Sequence, residues 1–413
     1  MRNADIRYRP DIDGLRAVAI LFVIGFHAFP ARFTGGFVGV DVFFVISGFL
    51  ISSIIFNRLE LGYFNLIDFY ARRIRRIFPA LITVLLAVSF TGSLFLLPIE
   101  YSNLLSHVLS GAFFVANFHL WTEAGYFDTA PKLKPLLHLW SLGVEEQFYI
   151  IWPIALMLAH RLGRRALAGI IILIGGASFI FNILVIDDYP VAVFFLPFGR
   201  FWELMLGAAL AAARPALAIP WGTFPALRNV SSVVGLTLIA YPILFYDNGH
   251  PFPGWRAAMP TLGAVLTIAA GAEAWCNRRI LSQRGMVFVG LISYPRYLWH
   301  WPLLSFGKTL EGLAPRNVQR LDRIGLISLS VLLAFATYRL FEAKIRSRPS
   351  PKYALRLALS LAGVCLISVA ARVPLTQIAT LNDNPFAWPD NRSRTDTCIR
   401  KYGLGSGLIT NKR

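Results

Sequence analysis

Two side chains able to do chemistry stand near the start of this chain. They are Arg16 and His27, both within its first membrane-length apolar run, residues 15–33. On a helix, eleven residues rise roughly 16 Å and return to within about 20° of the starting direction. The guanidinium and the imidazole therefore share one face, about three turns apart. A guanidinium at a membrane edge can grip an anionic ligand, and an imidazole deep in the same wall can serve as base or nucleophile. The plainer reading is an arginine snorkelling at a helix end and a histidine bonded to a neighbouring helix.

A second constellation, Ser-Leu-Gly-Val-Glu-Glu-Gln-Phe-Tyr at 141–149, follows His138 at the start of another apolar run. Adjacent helical carboxylates point about 100° apart, so Glu145 and Glu146 cannot both face one partner. One would orient His27 or bind a substrate hydroxyl, while the other caps a neighbour or meets water. The alternative is a solvated helix start, where acidic residues are favoured. Ser141 and Glu146, with His300 in Tyr-Leu-Trp-His-Trp-Pro at 297–302, complete the candidate substrate-binding groups. Tryptophan and tyrosine also gather at membrane interfaces without any site. Arg200 and Glu203, three residues apart on one helix face, read as a structural ion pair. Arg72, Arg73, Arg75 and Arg76 directly precede Pro79 and an apolar run. Guanidinium forks suit phosphates, but clustered arginine is also a plain topology signal.

These residues need elements to hold them, and composition says what kind. Of 413 residues, 56% are hydrophobic and 15% charged, with a mean hydropathy of +0.58. A soluble fold of this size needs more polar cover, so the apolar runs read as membrane helices. The net charge of +18 lies in short basic clusters between those runs, which sets topology and does not point to nucleic acid. Cys276, Cys365 and Cys398 have neither metal nor disulfide spacing, and no metal is expected. The first run has full membrane length and follows a polar start, unlike a cleavable signal peptide.

Twelve runs are candidates: 15–33, 35–56, 77–97, 104–121, 136–158, 166–186, 190–213, 229–245, 257–275, 287–306, 324–341 and 353–371. With the N-terminus cytoplasmic, a crossing at 104–121 would put Arg161, Arg164, Arg165, Arg278, Arg279, Arg284 and the basic run 344–352 outside. If 104–121 does not cross, all of these fall inside. The positive-inside rule thus selects eleven spans with the C-terminus outside. It makes 104–121, broken by His107, Asn117 and His119, a re-entrant or surface segment.

Taken together, these blocks resemble the membrane-bound acyltransferase 3 family, the bacterial sugar and peptidoglycan O-acyltransferases. The resemblance runs through Asp13-Gly14-Leu15-Arg16 with His27, the stretch 39–51, Arg72–Pro79, 141–149 and 297–302. It implies an acyl group, usually acetyl, carried from a cytoplasmic acyl-CoA donor to a hydroxyl of an extracytoplasmic glycan. It further implies Arg16, His27 and Glu145 as site residues, and Arg72, Arg73, Arg75 and Arg76 as donor-handling groups. Pro295 and Arg296 stand where the family commonly has Ser-Leu, and a proline there is expected to kink the span near His300.

The expected fold is an all-α transmembrane bundle of eleven spans with one re-entrant segment. Residues 1–345 form the acyltransferase domain, 346–371 an additional span and 372–413 an extracytoplasmic tail. That span and tail resemble the subgroup in which an SGNH-type domain follows. The tail holds no Gly-Asp-Ser block, so a natural short form or a truncated chain is expected. The expected function is O-acylation of a cell-envelope glycan at the bacterial cytoplasmic membrane, with donor, glycan and lipids as partners. The rival is a proton-coupled transporter or flippase using His27, Arg200 and Glu203, although no inverted repeat is visible.

Overall fold

The computed structural model describes residues 8–124, 133–247, 249–311, 319–346 and 350–382. Among them no β-strand occurs. In chain order the helices are α1 (Pro10–Ala28), α2 (Gly39–Glu60), α3 (Leu66–Phe95), α4 (Pro98–Ala112), α5 (Ala116–Glu123), α6 (Leu139–Leu162), α7 (Arg164–Val185) and α8 (Pro190–Phe195). Then come α9 (Pro197–Thr223), α10 (Pro225–Phe245), α11 (Ala258–Ala270), α12 (Arg284–Leu291), α13 (Ser293–Glu311), α14 (Gln319–Thr337), α15 (Ala343–Arg346) and α16 (Pro351–Asn382). The protein is an all-α polytopic membrane bundle. Eight helical segments among the described residues are long and apolar enough to cross a membrane: α2, α3, α6, α7, α8 with α9, α10, α14 with α15, and α16. Large apolar side chains face outward along them, including Phe90, Leu173, Leu184 and Leu366. In a bilayer that is the stable arrangement, because lipid tails are as apolar as the side chains.

Three expected spans take other shapes, each for a local reason. The run at 15–33 is α1, which starts at Pro10 and ends at Ala28. Pro10 has φ preset for a first turn, and Pro30 disfavours helix at Phe29. α1 carries three charged residues, Asp11, Asp13 and Arg16, in its first two turns. The run at 257–275 contributes only α11, closed at Gly271 with φ 80°. The run at 287–306 divides at Ile292 into α12 and α13. Pro295 therefore falls in the first turn of α13, where a missing N–H costs little. The expected interior kink is instead a break between two helices.

The stretch 104–121, expected as re-entrant or surface-packed, falls on two short helices that fold back on each other as a hairpin. α4 and α5 are joined through Phe113–Val115, with Phe114 at φ 56°, and their His107 and His119 rings lie 5.0 Å apart. Gln147 of α6 holds the turn: its Nε2 donates to the Phe114 carbonyl and to Asn117 Oδ1, both at 2.8 Å. Asn117, fully buried, donates to the Phe195 carbonyl at 3.2 Å. These bonds satisfy backbone that leaves helical geometry inside the bundle.

Three apolar cores organise the whole. One joins α1, α2, α9, α10 and α11. Another joins α2, α3, α6, α7 and α9. The last joins α3, α4, α6, α13, α14 and α16. Between them, α1, α2, α3, α6 and α13 converge on a polar interior. α2 and α9 touch backbone to backbone, because a side chain at Gly48 would strike the Leu204 carbonyl and one at Gly207 the Val45 carbonyl. Of the tail expected at 372–413, residues 372–382 continue α16 and the rest lie outside the described residues.

Candidate active site

Two cavities occupy the convergence. The first, about 190 Å³, is lined by Arg16 of α1, Ser47 of α2, Arg73 and Arg76 of α3, and Ser141, Glu145, Glu146 and Tyr149 of α6. The second, about 290 Å³, is lined by His27 of α1, His138, Trp140, Arg200 of α9, and Trp301 and Lys308 of α13. Val40 and Tyr297 line both. α1 is thus the common wall, presenting Arg16 to one chamber and His27 to the other.

The first chamber is a cationic cup with acidic groups on the opposite wall. Glu145 accepts hydrogen bonds from Ser47 Oγ and Tyr149 Oη. Arg73 lies between the rings of Phe69 and Tyr149, 5.9 and 5.7 Å from their centroids, which holds its fork by cation–π contact. Arg16 Nη1 lies 3.5 Å from Asp13 Oδ1 one turn earlier. The arginine cluster divides in two. Arg73 and Arg76 line the chamber; Arg72 instead pairs with Asp68 on an exposed surface, and Arg75 donates to the Ser350 carbonyl at 3.3 Å, toward the start of α16. On a helix, positions three apart share a face and adjacent ones do not, so four consecutive-looking arginines resolve into one inward pair.

In the second chamber, His27 Nδ1 lies 2.9 Å from His300 Nε2, with the rings stacked at 13° between planes. His300 Nδ1 lies 2.6 Å from the Tyr297 carbonyl. A carbonyl only accepts, so His300 Nδ1 carries the proton. In a neutral ring its Nε2 is then an acceptor, and His27 must donate from Nδ1. Nε2 is left as the basic atom of His27. Of the two roles expected for Glu145, orienting His27 or orienting the acceptor, the first lacks a contact: Glu145 lies in the other chamber, and His300 is the residue beside His27. Trp301 packs edge-on against the His27 ring, centroids 4.5 Å apart.

The partition between the chambers is itself bonded. Tyr297 Oη donates to the His138 carbonyl at 2.8 Å and lies 2.6 Å from Ser141 Oγ. Ser141, expected at the acceptor, thus sits at this wall. Tyr297 was visible in the 297–302 block, but a tyrosine near a membrane edge carries no signal of such a role. Asp41 was also missed as a partner. Arg200 Nη2 meets Asp41 Oδ1 at 2.8 Å, and Nη1 meets Glu203 Oε1 at 3.0 Å, all three side chains fully buried. The rings of Phe44, Trp140, Phe194 and Phe252 surround this guanidinium at 5.4–5.8 Å. Its partners lie on α2 and α9, which makes the expected ion pair a triad tying those helices together. Among the described cysteines, Cys276 and Cys365 are both free.

Similarity to known proteins identifies the family. The acyltransferase domain family matches residues 9–339. A Staphylococcus aureus (strain MSSA476) protein provisionally named an O-acetyltransferase is 32% identical over 363 residues, covering 83% of this chain and 58% of that protein. The peptidoglycan O-acetyltransferase OatA of Listeria monocytogenes is 30% identical over 352 residues, 82% of this chain and 56% of its own. YrhL of Bacillus subtilis, provisionally named a peptidoglycan O-acetyltransferase, is 29% identical, covering 83% and 55%. The chain spans a little over half the length of these curated relatives. No solved structure matches it. The motif blocks lie on the walls of two adjoining chambers and the family match runs through nearly all of the described bundle, so the chain belongs to the membrane-bound acyltransferase 3 family.

Proposed function

We propose that this protein is a membrane O-acyltransferase that moves an acyl group, acetyl in the simplest case, from a cytoplasmic acyl-CoA donor to a hydroxyl of an extracytoplasmic cell-envelope glycan. The observation that carries this reading is the division of α1 between an arginine-lined chamber and a histidine-lined one. Arg16, Arg73 and Arg76 form a cationic cup suited to donor phosphates. The acyl end of the donor would pass the Tyr297–Val40 partition toward His27, about 16 Å from Arg16 along the helix.

At the histidine end, His27 Nε2 takes the proton of the acceptor hydroxyl as that oxygen attacks the thioester carbonyl. The C–S bond then breaks, and the leaving thiolate takes up the proton. Net, one thioester and one alcohol give one ester and one thiol. His300 holds the His27 ring in the tautomer this step requires. The orientation that fits is N-terminus inside, with the Arg72–Arg76 end of α3 cytoplasmic and His27 toward the outer face of the bacterial cytoplasmic membrane.

The test uses purified protein in lipid nanodiscs, radiolabelled acetyl-CoA and a soluble glycan acceptor. His27→Ala should abolish transfer and leave donor affinity close to that of the wild type. Arg16→Lys keeps the charge but loses the bidentate fork, and should weaken donor binding. Substrate movement across the membrane without covalent transfer would establish the transporter reading in its place. Near-normal turnover by His27→Ala would remove His27 from the chemistry.

A further inference from the structure

A third cavity, about 490 Å³, opens beside the histidine chamber. Its polar lining is Glu100, Asn103 and His107 of α4, Glu123 of α5, Lys134, and Lys308 and Thr309 of α13. Lys308 also lines the histidine chamber, so the two spaces adjoin there. Trp301 of the histidine chamber reaches a residue of the third cavity: its ring packs against His27, and its Nε1 donates to the Lys134 carbonyl at 2.8 Å. The volume falls within the roughly 300–1,000 Å³ of small-molecule sites.

The lining is arranged around Glu123. Lys134 Nζ donates to its Oε2 at 2.8 Å, His107 Nε2 lies 3.2 Å from the same oxygen and His119 Nε2 lies 3.0 Å from Oε1. Partial burial favours the neutral acid, but the contacts from His107, His119 and Lys134 outweigh it and hold this carboxyl well below the usual range. With the Lys134 ammonium at 2.8 Å, the Glu123 carboxyl is held toward its charged form, and its oxygens can accept further hydrogen bonds. The His107 side chain is 6% exposed, and its Nδ1 has no partner among the described residues. With Nε2 turned to the carboxylate, Nδ1 is the acceptor nitrogen of a neutral ring, enclosed in the wall of the cleft. Asn103 is exposed on the rim and offers both a donor and an acceptor.

We propose that this cleft is a subsite for a sugar residue of the acceptor glycan, next to the residue whose hydroxyl reaches His27. Neutral sugar hydroxyls both donate and accept, which matches a wall of carboxylate, amide, imidazole and ammonium groups with no large excess of either charge. Glu123 accepts from sugar hydroxyls, and Asn103 fixes the outer edge. A divalent cation on His107, His119 and Glu123 is the competing occupant. The Lys134 ammonium already holds the Glu123 carboxylate, and the cavity far exceeds one ion, so the sugar is favoured. The proposal rests on the acyltransferase reading and adds to it a chain-length preference.

The experiment compares N-acetylglucosamine with its β-1,4-linked tetramer as acceptors for the full chain in nanodiscs. Direct binding of the tetramer is measured alongside. The wild type should show a lower KM for the tetramer than for the monomer. Asn103→Ala and Glu123→Gln should each reduce that advantage about tenfold, the scale of one or two lost hydrogen bonds, with the change in KM and matching loss of tetramer binding. Asn103 is exposed, so its variant keeps the test valid if Glu123→Gln folds poorly. Equal KM for both acceptors, or an unchanged tetramer advantage in Asn103→Ala, would overturn the subsite. Loss of activity on chelation, restored by zinc, would assign the cluster to a metal instead. If the wild type transfers nothing but still binds the tetramer at this cleft, the acyltransferase reading fails while the sugar site stands.

Discussion

At the scale of single residues, the useful distinction is between groups that touch substrate and groups that act through another residue. His300 belongs to the second kind. Its Nδ1 bond to the Tyr297 carbonyl fixes one tautomer, and that tautomer fixes the proton on His27 Nδ1. Replacing His300 by alanine leaves His27 free to rotate and to carry its proton on either nitrogen. Turnover should fall about 100-fold, the lower end of what a positioned base contributes, with donor affinity unchanged. Rapid-quench measurement of the chemical step beside equilibrium donor binding would check this. A comparable loss of donor binding would instead mark a general collapse of the chamber. The arginine cluster permits a sharper contrast. Arg73→Ala removes a fork held over two rings in the chamber and should weaken donor binding about tenfold or more. Arg72→Ala breaks only an exposed pair with Asp68, an interaction worth about 0–1 kcal/mol, and should leave donor binding unchanged. Equal effects of the two would show that cluster charge alone, without the inward face, handles the donor.

At the scale of elements, the α2–α9 contact is both a packing feature and an electrostatic one. The absence of side chains at Gly48 and Gly207 brings the backbones together, and that approach places Asp41 within 2.8 Å of Arg200. Removing one partner of a buried ion pair typically costs about 3–5 kcal/mol because the remaining charge stays uncompensated. Arg200→Ala, which leaves Asp41 and Glu203 buried without their common cation, should therefore lower thermal stability in detergent strongly. Gly207→Leu should do the same by wedging the helices apart, even with every charge retained. If Gly207→Leu melts like the wild type, the close approach is not what holds these helices. The α4–α5 hairpin depends in a similar way on Gln147, whose amide bonds the Phe114 carbonyl and Asn117.

At the scale of the molecule, that hairpin decides the topology. If α4 and α5 enter and leave by one face, cysteines placed at Glu100 and Thr122 should both react with an impermeant thiol reagent in intact cells. A cysteine at Gln283, on the basic side, should react only after the membrane is opened. Labelling of Glu100 but not Thr122 would make 104–121 a crossing and reverse the orientation of everything after it. The same experiment bears on mechanism, because Glu100 lines the proposed sugar cleft, which meets the histidine chamber at Lys308.

How much of this was legible in the sequence follows from the range of the forces involved. Apolar runs and clustered arginines report on the bilayer, which acts on each segment independently. All-α architecture, membrane insertion and the suspicion that 104–121 does not cross could therefore be read without any contact between segments. The pairing of Arg16 with His27 on α1 was legible too, since helical geometry alone fixes it. The family blocks marked which stretches carry the site. They did not say which side chain meets which. That His27 pairs with His300, 273 positions away, and not with Glu145, depends on how α1, α6 and α13 pack. So does the division of the four arginines into a pair lining the chamber and two turned elsewhere, Arg72 to Asp68 and Arg75 to Ser350, and so does the addition of Asp41 to the Arg200–Glu203 pair. The break at Ile292 turned an expected proline kink into a helix start. Local periodicity places a residue on a face; only packing between distant helices decides what that face meets.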